Sequence, residues 1–384
     1  MSEAEMIRCT VMRGGTSKAL FFLDNDLPAD PELRKKVILA AFGSPDPRQI
    51  DGLGGATSST SKVAIISVSS HGDADLDYDF GQVDINSPLV DKNMNCGNIS
   101  AAVGPFAVNN SLVKADEPTT KVRIFNTNTK KRIIAHVPVF EGKAKTEGDF
   151  SIHGVPGSGA KITLEFEDPS GAVTGKLLPT GEPRQAIKID GEKYTISVID
   201  AANPFIFMKA EELGMTGTEL PTEFNQRTDL LTKMEKIRGI IAEEIGLVED
   251  AALASKKSPA LPKIGFFNSS RPYLDANGKK IDAGDIDITG RLLSMGKMID
   301  AYMGTGTICT IAAANITGTI INEFLTEKAG GKITHLRIGH PFGVISAKAK
   351  INEEDNTLKS GILERTARTL MEGCVYVPRR IFSK

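Results

Sequence analysis

Short runs of β-branched and aromatic residues separated by glycines recur along this whole chain, and that punctuation favours a strand-rich fold with many turns. Glycine occurs 37 times in 384 residues, and tryptophan not at all. Residues 7–12 and 19–23 read as neighbouring strands. The turn Arg13-Gly14-Gly15-Thr16-Ser17-Lys18 joins them, with two glycines free to take positive φ. Further strands are expected at 61–67, 121–125, 133–139, 195–200, 262–268, 286–295, 333–338 and 343–349. A helix is expected over 31–42, with Asp30 as N-cap, Pro31 at the first helical position and Gly43 closing it. Leu230, Leu231, Met234, Ile237, Ile240, Ile241 and Ile245 form a second helical stripe. The segment 141–161, rich in Gly and Lys, reads as loop. Pro179-Thr180-Gly181-Glu182-Pro183 is linker-like. The chain is therefore expected to divide into two α+β halves, 1–183 and 184–384, with the C-terminal segment able to return to the first.

Each half repeats one device, a Gly-rich turn that opens into a long helix of small residues. In the first half it is Asn95-Cys96-Gly97-Asn98 before Ile99, and in the second it is Gly304-Thr305-Gly306 before Thr307 and Ile308. The first amides of a helix lack intrahelical partners and sit at the positive end of its dipole, so such termini bind carboxylates. Two of them facing each other across an interdomain cleft would hold a dicarboxylate. The plainer alternative is that Gly and Thr merely cap two core helices. Cys96 stands where that dipole lowers a thiol pKa, and its neighbours Asn95 and Asn98 are polar, unlike those of an inert structural cysteine. Cys309 lies among Ile308, Ile311 and Ala312 and reads as core, as do Cys9 and Cys374 in strand-like runs.

Lys62 enters the apolar run Val63-Ala64-Ile65-Ile66. A lysine desolvated there has its pKa pulled toward the range of a general base, whereas an ordinary strand-end lysine stays in water. Gly52, Gly54 and Gly55 suggest a phosphate loop, but neither G-x-G-x-x-G nor G-x-x-x-x-G-K-[ST] is satisfied. His335 and His340 lie in loops without H-E-x-x-H, so no metal or other cofactor is expected. No G-x-S-x-G elbow supports a serine hydrolase. Lys and Arg number 46 against 48 Asp and Glu, a net charge of −2. This balance offers no basic footprint for nucleic acid or a membrane surface. No apolar run reaches spanning length, and the first residues lack a signal-peptide core. Four cysteines without C-x-x-C fit a reduced, cytoplasmic protein.

Taken in order, Met12-Arg13-Gly14-Gly15-Thr16-Ser17-Lys18, Ser61-Lys62, Asn95-Cys96-Gly97-Asn98, Gly304-Thr305-Gly306 and His340-Pro341-Phe342-Gly343 resemble the PrpF-type isomerase family. That family is similar in fold to diaminopimelate epimerase, and the likeness runs over nearly the whole chain. It implies an α+β fold of two similar domains, each a barrel-like, mostly antiparallel sheet around a central helix, with the active site between them. It also implies cofactor-free proton transfer on unsaturated di- and tricarboxylates by a homo-oligomer. Carried over by motif, Lys62 and Cys96 are the catalytic pair. Ser17, Thr16, Asn95, Gly97, Asn98, Thr305, Gly306 and His340 are substrate-binding.

Met303 stands where the epimerases carry a second cysteine, which fits double-bond migration rather than stereoinversion. The expected reaction is a 1,3-proton shift on a diacid such as 3-methylitaconate, giving 2,3-dimethylmaleate. One of Lys62 and Cys96 takes the proton and the other returns one. Aconitate, methylaconitate or oxalomesaconate would need another donor, for which Arg13, Arg271 and Lys297 are candidates. A non-catalytic carboxylate-binding protein on the same scaffold is the competing class.

Overall fold

The computed structural model describes residues 3–325, 332–352 and 357–383. The chain forms two compact units, residues 1–164 with 364–384, and residues 165–363. Pro183 lies inside the second unit, packed near Gly318.

In the first unit, β1 (Ala4–Gly14) turns through Gly15 and Thr16 into β2 (Ser17–Leu23), with Met12 opposite Ala19 and Gly14 opposite Ser17. Next, β2 runs parallel to β3 (Lys62–Val68), and β3 pairs antiparallel with β4 (Leu76–Val83). In turn β4 runs parallel to Thr119–Asn126, which pairs antiparallel with Lys131–Phe140. The C-terminal strand Ala367–Pro378 returns to the free side of β1.

Two helices complete this unit. The first, α1 (Pro31–Phe42), starts where the Asp30 carboxylate accepts from the Leu33 amide at 2.7 Å and ends at Gly43, which takes φ 70°. Its Val37, Ile38 and Phe42 pack on one sheet face with Leu20, Phe22, Val63, Ile65 and Val375. The second, α2 (Gly97–Asn109), is buried from Gly97 to Val108. A helix apolar on every side has to be enclosed, and small residues let the strands close in on it. A Cβ on Gly104 would stand 2.6 Å from Val137, and Phe21 meets Phe106 at 5.4 Å between ring centroids.

The second unit repeats the pairing order. Glu192–Ala201 forms a hairpin with Asn203–Lys209, which runs parallel to Lys263–Ser269. That strand is antiparallel to Ile288–Ser294, which is parallel to His335–His340, itself antiparallel to Gly343–Ile351. The helix Thr228–Glu244 falls between Asn203–Lys209 and Lys263–Ser269 in the chain, as α1 falls between β2 and β3, and the buried helix Gly304–Asn315 takes the part of α2. Each unit is thus a mostly antiparallel sheet around one small-residue helix.

Two expectations fail. His335 and His340, expected in loops, are the two ends of a strand. Cys374 is exposed, not core. Val375 and Val377 face inward on the C-terminal strand, so the two-residue period turns Cys374 and Tyr376 to the outer face.

Candidate active site

Lys62 opens β3 directly opposite Gln82 of β4. Its side chain is buried and its Nζ donates to Gln82 Oε1 at 2.5 Å, over the Phe80 ring. The Gln82 amide cannot turn away, because its Nε2 donates to the carbonyls of Ser58 and Ser61 at 3.0 and 2.9 Å. The loop before Lys62 is fixed by buried Gln49, whose Oε1 accepts from the Ala56 amide and the Ser61 hydroxyl. Burial lowers the Lys62 pKa from its ordinary 10.5, and the Cys96 thiol partly opposes that shift. Lys62 makes no ion pair among the described residues.

Cys96 is the N-cap of α2, buried, in extended conformation, and gives the helix no side-chain cap. Met303 does the same for Gly304–Asn315, again without a side-chain cap. At neither helix start does the N-cap residue close the end with a side-chain hydrogen bond. Asn95 accepts from the Ser100 hydroxyl, and Gly97 is the first helical residue. Asn98 spans two motifs, since its Nδ2 donates to Thr16 Oγ1 at 3.0 Å. Ser17 is buried at the head of β2, and its hydroxyl makes no hydrogen bond among the described residues.

Sequence reasoning missed two residues of this cluster. Arg365 is buried, and its Nε donates to Asn98 Oδ1 at 3.0 Å while Nη1 donates to the Glu364 carbonyl. Burial pulls its guanidinium down to about 10, and Cys96 pushes the other way. Tyr78 is fully buried, and burial first and Cys96 second raise its phenol pKa well above the usual value. Lys62, Tyr78 and Arg365 therefore all lie within electrostatic reach of one thiol. The only advance sign of Arg365 is the Gly14-Gly15 pair, which leaves room for it. A Cβ on Gly15 would stand 2.3 Å from Asn98 Oδ1 and 3.1 Å from Arg365 Cδ.

Of the three cations expected as extra donors, none is a buried side chain. Arg271 and Lys297 are exposed. Arg13 is half-buried and spends Nη1 on the carbonyls of Gly15 and Thr366, so it braces the turn.

In the second unit, Gly306 and His340 stand beside Tyr302. The Tyr302 ring is 6.3 Å from that of His340, and a Cβ on Gly306 would stand 3.2 Å from it. Thr305 Oγ1 accepts from Asn203 at 3.0 Å. Buried His340 accepts the Phe342 amide at Nδ1, and its carbonyl accepts from Tyr273. Among the described residues, no three His, Cys, Asp or Glu side chains gather as a metal set.

Residues 4–378 match the family model described as PrpF protein. The chain is 49% identical over 380 residues to 3-methylitaconate isomerase of Eubacterium barkeri, covering 99% of each. It is 41% identical to 2-methyl-aconitate isomerase of Shewanella oneidensis over 97% of each chain. Among solved structures, a methylitaconate-delta-isomerase superposes with TM-score 0.81 at 48% identity, covering 100% of this chain and 98% of the other. A hydroxyproline epimerase from Agrobacterium vitis matches at TM-score 0.60 and 13% identity over 98% and 93% of the chains, a likeness of fold alone.

Proposed function

The chain belongs to the PrpF family of isomerases, and we propose that it moves a carbon–carbon double bond in an unsaturated dicarboxylate, converting 3-methylitaconate to 2,3-dimethylmaleate. The observation that supports this reading is a buried lysine with a lowered pKa in electrostatic reach of a cysteine at an uncapped helix start. It joins a weak base, an acid and free amides in one unit.

The C–H to be removed is both allylic and α to a carboxylate, so its loss gives a dienolate. Neutral Lys62 Nζ takes that proton. The charge spreads toward the terminal methylene, and the Cys96 thiol protonates it to a methyl group. The double bond now lies between the two carboxyl-bearing carbons. Lys62 is left as ammonium and Cys96 as thiolate, and exchange of one proton with solvent resets both. Amides at Gly97 and Asn98 stabilise carboxylate charge as it grows, an interaction stronger in the transition state than before it. Ser17 supplies a hydroxyl, and the group around Thr305, Gly306 and His340 is assigned to substrate binding. Each positioned acid or base contributes roughly 10²–10⁴-fold.

Four free cysteines support a reducing, cytoplasmic setting. The exposed Met6, Leu370, Met371 and Tyr376, on β1 and the strand paired with it, support self-association.

Proton NMR with 3-methylitaconate in D₂O tests the reading. Dimethylmaleate carrying deuterium in the new methyl group is the expected product. Turnover of methylaconitate or oxalomesaconate instead would keep the proton shift and replace the substrate. Binding without turnover of any of the three would favour a carboxylate-binding protein.

A further inference from the structure

We propose that Arg365 is the residue that grips one substrate carboxylate beside Cys96, through the outer edge of a guanidinium already held in place by Asn98. This rests on the isomerase reading above and adds to it the residue that makes a free carboxylate necessary.

Three observations converge on Arg365. First, it is a cation with only 5% of its surface exposed, and it makes no ion pair among the described residues. A buried charge without a counter-ion is costly, and an anion arriving from outside offsets that cost. Second, the guanidinium is only partly used. Nε is committed to Asn98 and Nη1 to the Glu364 carbonyl, whereas Nη2 has no acceptor among the described residues. Its remaining donors have the planar geometry that receives a carboxylate.

Third, its orientation is built rather than incidental. Asn98 is itself anchored to Thr16, and the Gly14-Gly15 turn is pressed so closely on this pair that side chains at either glycine would collide with Asn98. The turn, the start of α2 and the strand end at Arg365 thus form one bracket within a single unit. Lys62, the proposed neutral base, borders the same thiol, so Arg365 is the cation left to meet a carboxylate there. Burial already weakens the hold of the guanidinium on its own proton, to about 10, which an incoming carboxylate would reverse.

The test compares wild type, Arg365→Gln and Arg365→Lys on 3-methylitaconate and on each of its two monomethyl esters, with folding checked by circular dichroism. For Arg365→Gln, KM for the diacid should rise roughly 10- to 100-fold, the range for a lost hydrogen bond to a charged group. Wild type should reject both esters, and the variant should lose that rejection for one of them only. Added guanidinium should recover part of the loss. Arg365→Lys keeps the charge without the fork and should fall between the two, which keeps the question open to decision if Arg365→Gln does not fold. Unchanged KM, or unchanged discrimination against both esters, would overturn the assignment. If wild type itself converts no diacid, the isomerase reading fails instead, so the two failures are distinct.

Discussion

Lys62 and Gln82 face each other across β3 and β4, and the lysine Nζ meets the amide oxygen at 2.5 Å. The acceptor is neutral, and that matters for a base. A carboxylate in its place would favour the ammonium form and raise the lysine pKa, whereas the amide leaves burial free to lower it. Gln82→Glu should therefore move the rising limb of the kcat/KM pH profile upward, by about one to three pH units. Activity should be depressed near neutrality and recover at higher pH. An unshifted limb would remove Lys62 from the role of base.

The same burial has a cost in stability, and its sign follows from proton linkage. Below 10.5 the unfolded chain holds the Lys62 proton more tightly than the folded one, so stability rises with pH across the window between the lowered folded value and 10.5. Lys62→Met removes that cost. It should abolish turnover yet raise the unfolding free energy near pH 7 by roughly 1–3 kcal/mol, in line with replacing buried ionic groups by apolar ones. The gain should shrink as pH approaches 10.5. Thermal melts at several pH values check this, and a destabilised Lys62→Met would contradict it.

Cys96 gives its helix no side-chain hydrogen bond, so removing its sulfur leaves the cap as it was. Cys96→Ala should lower kcat by about 10²–10⁴-fold with little change in melting temperature. Thiol labelling needs care because Cys374 is exposed and reacts whether or not ligand is present. In a Cys374→Ser background, one equivalent of label should enter at Cys96, and a dicarboxylate should slow it. Labelling that ignores the dicarboxylate would separate Cys96 from the ligand site.

Much of this fold is legible where local chemistry and tertiary packing agree. Asp30, Pro31 and Gly43 mark α1 at both ends because capping is decided within four residues. The two small-residue helices announce themselves because nothing else suits a core helix enclosed by strands. Leu76, Tyr78 and Phe80 alternate with polar residues and form β4, a pattern the eye passes over because Asp77 and Asp79 break up the run. Cys374 misleads for the opposite reason, since its apolar neighbours hide its phase. Arg365 was out of reach, because its partner Asn98 is 267 residues away and no periodicity marks a buried arginine at a strand end.

The repeated topology also shows why only one unit carries both candidate proton-handling groups. Lys263 opens the strand that corresponds to β3, buried like Lys62, and its Nζ donates to Ser294 at 3.1 Å. The residue corresponding to Cys96 is Met303, which has no exchangeable proton. The second unit keeps the lysine and the uncapped helix start, both suited to charge, and lacks the thiol.

Gly15 tests the bracket without removing any of the charged groups. Its φ is +51°, which most side chains reach only with strain, and a Cβ there would stand 2.3 Å from Asn98 Oδ1. Neither partner can yield cheaply, since Asn98 is tied to Thr16 on one side and Arg365 on the other. Gly15→Ala should cost about 1–3 kcal/mol of stability from crowding and backbone strain. Gly72, with no atom within 4 Å of an added Cβ and no positive φ, is the matched control, and Gly72→Ala should be close to neutral. The informative comparison is between stability and activity. Displacing Asn98 swings the guanidinium it orients, so kcat/KM for the diacid should fall by more than the lost stability accounts for, at a temperature where the variant is fully folded. A Gly15→Ala enzyme that is destabilised yet keeps wild-type kcat/KM when folded would show that the turn is packing alone.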